Sequence, residues 1–151
     1  KDVVISTTGT FTVTRESKGL YVLRKTAADD TSVIGIDLLA FLRTTTSKGI
    51  KLTSLSYIFA NSIADLEAHS ATLSRVTYAD STTEVVTDMP ITGTAGVGQD
   101  ADPQVDILTV TTPAFENTAL SKLVLEITVN AAGTSVYDFI GVVASFTRDD
   151  S

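Results

Sequence analysis

The 151-residue chain has no cysteine and no tryptophan, one histidine, one methionine and three prolines. Without cysteine there is no disulfide framework, no thiolate metal ligand and no thiol nucleophile, and the redox compartment stays open. Without tryptophan the usual flat platform for stacking on sugars is missing. A lone histidine, His69, cannot supply a multi-histidine metal site. No G-x-S-x-G elbow accompanies it, so a Ser-His-Asp triad has nothing to build on, and His69 reads as a surface or strand-end residue.

Charge is also sparse. Charged residues make up 19% of the chain, and its eleven Lys and Arg are scattered, with only Arg24 and Lys25 adjacent. A formal net charge of −7 repels phosphate backbones, and with no basic stripe a direct nucleic-acid partner is not expected. No apolar run approaches the roughly 20 residues that cross a bilayer, so no membrane partner is expected either. Lys1 to Arg15 lacks the apolar core of a signal peptide.

What the chain does hold is threonine, valine and isoleucine in abundance within a 43% apolar composition. β-branched side chains lose rotamer freedom in helices and pack well on a pleated surface, so the bias favours strands. The length suits one domain over residues 1–151, with Lys1–Thr10 expected as an extended N-terminal arm.

Thr10 to Thr14 alternates with period two, Leu20 to Leu23 is a short apolar run, and Val33 to Ile36 looks extended. Asp37 stands as an N-cap before Leu38, Phe41 and Leu42, whose spacing predicts a short helix or helical turn. Gly49 leads into a strand over Ile50–Ala60 whose apolar phase slips near Thr53-Ser54, as a β-bulge would make it. Ala71 to Tyr78 shows a similar slip, and Pro90 assigns Glu84–Ile91 to an edge or a strand end. Gly93–Pro103 is the clearest loop, followed by a largely apolar strand over Val105–Val110.

The last third alternates most regularly. A hairpin folded about Ala132-Gly133 would set Leu123 against Val142, Leu125 against Ile140 and Val129 against Val136, with Ile127 against Asp138. Its other face would carry Val124, Tyr137, Phe139 and Val143, too apolar for open water. Tyr137, Phe139 and Val143 are therefore the interface candidates. Seven to nine strands with recurring turns and no crossover helix predict an all-β, antiparallel two-sheet sandwich of jelly-roll type.

Candidate chemistry is thin. Asp100, Asp102 and Asp106 could offer oxygens to calcium, but lack the D-x-D-x-D-G pattern and read first as turn-formers. The glutamates Glu16, Glu67, Glu84, Glu116 and Glu126 have no distinctive spacing, so a glycoside-cleaving pair is not indicated and solvated or cross-strand roles are expected. Gly93, Gly96 and Gly98 form no phosphate-binding fingerprint. No catalytic residue, cofactor or metal is expected.

The stretch Lys48 to Asp80 (KGIKLTSLSYIFANSIADLEAHSATLSRVTYAD), with LVLEITVNAAGTSVYDFIGVVASFTRD near the end, resembles jelly-roll virion proteins of tailed phages and related environmental viruses. These are of the decoration, cement or minor capsid kind. The resemblance spans about two thirds of the chain in general pattern, without a diagnostic motif. It implies a non-enzymatic structural protein on the capsid exterior, whose partners are copies of itself and other capsid proteins. The alternative from another class is a glycan-binding sandwich for host-surface recognition through loops such as Gly93–Pro103, and a third is a hydrolase on the same scaffold.

Overall fold

A computed structural model describes residues 4–8, 11–15, 21–25, 30–40, 42, 49–61, 66–78, 84–89, 91–92, 100–111, 115–116, 121–131 and 136–148. Among these, every regular element is a strand. In chain order they are β1 (Val4–Thr8), β2 (Phe11–Arg15), β3 (Tyr21–Lys25), β4 (Asp30–Asp37), β5 (Ile50–Asn61) and β6 (Leu66–Tyr78). There follow β7 (Glu84–Met89), β8 (Ile91–Thr92), β9 (Asp100–Val110), β10 (Phe115–Glu116), β11 (Ser121–Ala131) and β12 (Tyr137–Arg148).

Two antiparallel sheets face each other. One has the order β1-β4-β11-β6-β7, the other β2-β3-β12-β5-β9-β8, with β10 beside the start of β5. Setting aside the short β1, β2, β8 and β10 leaves eight strands. Numbered along the chain, they read 1-8-3-6 in one sheet and 2-7-4-5 in the other. That is the double Greek key of a jelly roll, as the strand pattern predicts. One apolar core fills the space between the sheets. It takes Ile34, Ile36, Leu73, Leu123, Leu125, Ile127 and Val129 from the first and Leu52, Leu55, Tyr57, Phe59, Tyr137 and Phe139 from the second.

Asp37 ends β4 as a cap. Its Oδ1 accepts from the Leu39 amide at 3.0 Å. The chain then makes a hydrogen-bonded turn, with Ala40 N donating to the Asp37 carbonyl and Leu42 N to that of Leu39. The expected helical segment is thus a turn, pinned to the neighbouring strand by Leu38 N donating to the Leu123 carbonyl at 2.8 Å. Gly49, with φ of 84°, takes the left-handed conformation that starts β5 and that glycine reaches without strain.

The bulge expected near Thr53-Ser54 is present. Ser145 of β12 pairs Ser54 while Phe146 pairs Leu52, so Thr53 is the extra residue. The slip expected inside Ala71–Tyr78 is absent. β6 runs against β11 without interruption from Thr77 to Ala68, and its irregularity lies beyond, where Ala131 pairs Leu66. The misleading signal has a physical source, because the inward position after Leu73 is held by Arg75. Its guanidinium binds the buried Glu116 through both carboxylate oxygens, so a charged pair stands where an apolar residue was sought. β7 is an edge strand ending at Met89, in keeping with the reading of Pro90. Within the expected arm Lys1–Thr10, Val4–Thr8 instead forms β1 against β4, and within the expected loop Gly93–Pro103, Asp100–Pro103 already belongs to β9; the remaining residues of both lie outside the described residues.

The expected C-terminal hairpin does not form. β11 pairs β4 and β6, whereas β12 pairs β3 and β5 in the opposite sheet. Leu123, Leu125 and Val129 therefore do not sit beside Val142, Ile140 and Val136 as cross-strand pairs. The connection is one between sheets, which short-range pattern cannot distinguish from a hairpin turn.

Candidate contact surface

The face assigned to β12 also changes partway along the strand. Phe139 pairs Phe59 but Gly141 pairs Ile58, so Ile140 is an extra residue, a second bulge. A bulge reverses which side chains face inward. Before it, Tyr137 and Phe139 point into the core at 0% and 5% exposure. After it, Val142, Ala144 and Phe146 pack against the core and remain partly buried, while Val143 is 53% exposed. Of the three interface candidates, Tyr137 and Phe139 are thus held by the protein's own core, and only Val143 reaches the surface. Gly141 beside Ile140 was the available signal, since glycine inside a strand often marks a bulge.

Asp138 likewise faces outward rather than toward Ile127. Arg24 of β3 grips it with two hydrogen bonds, Nε to Oδ1 and Nη2 to Oδ2, each 2.6 Å. The planar guanidinium matches the carboxylate fork and holds β3 to β12 at this point.

Val143 belongs to a wider surface that the residues did not announce. Strand register sets Val143, Ser56 and Ile107 in one row across β12, β5 and β9, and Gly141, Ile58 and Val105 in the next. Val105 and Ile107 are 60% and 69% exposed. A side chain added at Gly141 would meet nothing within 4 Å, so the surface is open there. Beyond Val143 the outward residues are Ser145 and Ser54, which are exposed, with Thr109 exposed alongside on β9. None of these positions carries charge, in a chain whose net charge is −7. Along Val105–Val110 the large outward residues are apolar, while Asp106 is among the inward ones. Inside-out patterning of this kind has no local signature.

Asp106 is 3% exposed and accepts from the Tyr57 hydroxyl at 2.7 Å. Its other oxygen, Oδ1, is buried with no hydrogen-bond partner among the described residues, as is Ser32 Oγ. Burial pushes the Tyr57 hydroxyl well above the ordinary tyrosine range, and the bond to Asp106 adds to it. Burial does the same to Tyr137, reinforced by the Asp106 charge. Phe59 stacks between them, its ring centroid 5.6 Å from each. Lys25, in register with Tyr137, is fully buried.

The calcium candidates are corrected by the same geometry. Asp100, Asp102 and Asp106 all lie on β9, not in a loop that could wrap an ion. At about 3.3 Å per residue, four residues separate Asp102 from Asp106 by roughly 13 Å, too far to share one cation whose ligands sit at about 2.4 Å. The side chains of Asp100 and Asp102 lie outside the described residues, as does that of His69, whose backbone pairs Val129. Among the described residues no three His, Cys, Asp or Glu side chains gather as metal ligands. Each buried carboxylate there has a structural partner: Asp37 the Leu39 amide, Asp106 the Tyr57 hydroxyl, Glu116 the Arg75 guanidinium. Among the described residues the exposed large apolar side chains are all aliphatic, namely Val86, Val105, Ile107 and Val143, and form no aromatic shelf for a sugar.

The fold is an eight-stranded jelly-roll sandwich whose larger sheet carries an uncharged, partly apolar patch on its outer face. No protein-family model matches the chain, and no curated protein matches it in sequence.

Proposed function

We propose that this protein is a non-enzymatic structural component of a virion, a decoration, cement or minor capsid protein on the capsid exterior that works through protein–protein contacts. The observation that carries the reading is the outer face of the larger sheet, where Ile58, Val105, Ile107 and Val143 lie among uncharged neighbours. Exposed apolar patches of this kind mark contact sites. The jelly roll is a common scaffold of viral coats, though not of coats alone. A surface that meets copies of itself and other capsid proteins needs area and shape, and the outer sheet face offers both. The buried carboxylates support the same reading from the other side, because they are engaged in capping a turn and in holding strands together.

The test is co-sedimentation of the purified protein with capsid shells encoded alongside it, together with Ile107→Lys and Val105→Lys variants. Binding by the wild-type protein and its loss in both variants is expected. A protein that never associates with shells, even at high concentration, overturns the proposal.

A further inference from the structure

Among the described residues, β3 flanks β12 only from Tyr137 to Phe139. From Gly141 to Arg148 the strand pairs β5 on one side and has no described strand on the other. The side chains record the difference. Tyr137 and Phe139 are buried, whereas Val142, Ala144 and Phe146 touch the same core and stay partly exposed.

The direction of the free backbone groups follows from one hydrogen bond. The Ser145 carbonyl accepts from Thr53 Oγ1 of β5 at 3.0 Å, so the peptide groups of Ser145 face β5. Alternation along an extended strand then turns the N–H and C=O of Ala144 and Phe146 to the open side. Unpaired edges are ordinarily blunted by short length, charge or proline. The terminal strands β1, β2 and β8 are short, with five, five and two residues. The edge strand β7 carries Glu84 and Asp88. The segment Ile140 to Thr147 (IGVVASFT) carries no charge and no proline.

We propose that this edge is the dimerisation site of the protein, pairing antiparallel with the same strand of a second copy about a two-fold axis at Ser145. Self-pairing is favoured by what the register brings together. With Ser145 opposite its own copy, Ala144 and Phe146 exchange both backbone hydrogen bonds, twice over by symmetry. The bulky Phe146 then lies beside the small Ala144, and Val143 beside Thr147, a β-branched pair suited to a sheet. Arg148 falls opposite Val142, so the two arginines stay apart. Centring the axis on Phe146 instead would set two phenylalanines directly opposite each other. The pairing completes the burial of Val142, Ala144 and Phe146, and it joins the two apolar outer patches into one continuous surface. It deepens the self-association within the proposed function and rests on that part of it.

Because the chain has no cysteine, single-cysteine variants read the register directly. Ser145 forms a pair whose peptide groups point away from each other, with Cα atoms about 4.5 Å apart, within disulfide reach. Under mild oxidation Ser145→Cys is expected to give a disulfide-linked dimer. Val143→Cys and Thr147→Cys should crosslink to each other when mixed but not to themselves. Thr72→Cys, exposed on the other sheet, serves as the collision control. Pairing raises the local thiol concentration from about ten micromolar to about a millimolar, so Ser145→Cys should crosslink roughly a hundredfold faster than that control. A second variant, Ala144→Pro, removes an N–H that faces the open side. It should sediment as a monomer with its far-ultraviolet dichroism unchanged, at concentrations where the wild-type protein is dimeric. Equal crosslinking of Ser145→Cys and Thr72→Cys, or a wild-type protein that stays monomeric at millimolar concentration, overturns the pairing. A monomer that still binds shells sinks this inference and leaves the virion reading standing, whereas a dimer that ignores shells does the reverse.

Discussion

The first three residues of β12 and the eight from Gly141 onward belong to one strand in one sheet, yet their surroundings differ. Tyr137 to Phe139 lie between β3 and β5, with both aromatic rings buried and Asp138 clamped by Arg24. Among the described residues, Gly141 to Arg148 pair with β5 alone, and their inward side chains keep part of their surface in water. Between the halves stands Ile140, the bulge that turns odd-numbered residues inward on one side and even-numbered residues inward on the other. Burial along a strand therefore depends on its flanking strands and its bulges as much as on its own composition. The half rich in aromatics is closed, and the half rich in valine is open.

The most severe way to break the contrast is to delete Ile140. The halves would then share one phase, and either Tyr137 and Phe139 or Val142 and Phe146 would turn outward. Loss of cooperative unfolding and of near-ultraviolet dichroism is the expected outcome. Truncation within each half comes next. Phe139→Ala removes a buried ring and should cost about 3–5 kcal/mol in urea denaturation. Phe146→Ala, in dilute protein, should cost less than half of that, because its ring already meets solvent.

High pH probes the two buried tyrosines, Tyr137 in the closed half and Tyr57 on β5 opposite Val142. Tyr57 and Tyr137 are held protonated in the folded protein, whereas in the unfolded chain they ionise near pH 10. The folded state then binds more protons than the unfolded one, so stability falls as pH rises above about 10. Each tyrosine should contribute about 1.4 kcal/mol per pH unit. Denaturation midpoints measured from pH 8 to 11 should show the slope, and Tyr137→Phe should reduce it.

Smaller effects sharpen the boundary between the halves. Asp138→Ala removes the paired bonds to Arg24, both partners being part-buried, and should cost about 1–2 kcal/mol. Hydrogen exchange should then speed up in β3, extending the open edge toward Tyr137. Val143→Thr, on the open surface, should change monomer stability by no more than about 0.5 kcal/mol, as thermal melts of dilute protein would register.

Much of this architecture was legible in the residues. The β-branched composition, the turn spacing and the want of a crossover helix pointed to a jelly-roll sandwich, and the slip at Thr53-Ser54 marked a true bulge. The Asp37 cap was legible too. Partnership was not. Leu123 to Val129 and Tyr137 to Arg148 alternate as a hairpin would, although they belong to opposite sheets. Arg75 against Glu116 and Tyr57 against Asp106 broke the apolar pattern at inward positions, so polar pairs read as slips or surface. Of the contact surface only Val143 was legible, because nothing local marks Val105 and Ile107 as outward-facing.

By itself, then, the sequence determined that the chain forms strands and where most of them begin and end. Backbone propensity, turn chemistry and period-two alternation act over a few residues, so they can be read from a few residues. Which strand lies beside which, which face of each turns inward, and which edge is left without a neighbour were decided by the tertiary structure. Those choices rest on contacts between residues far apart in the chain. Among the described residues, they left β12 from Gly141 to Thr147 without charge and without a strand on one side.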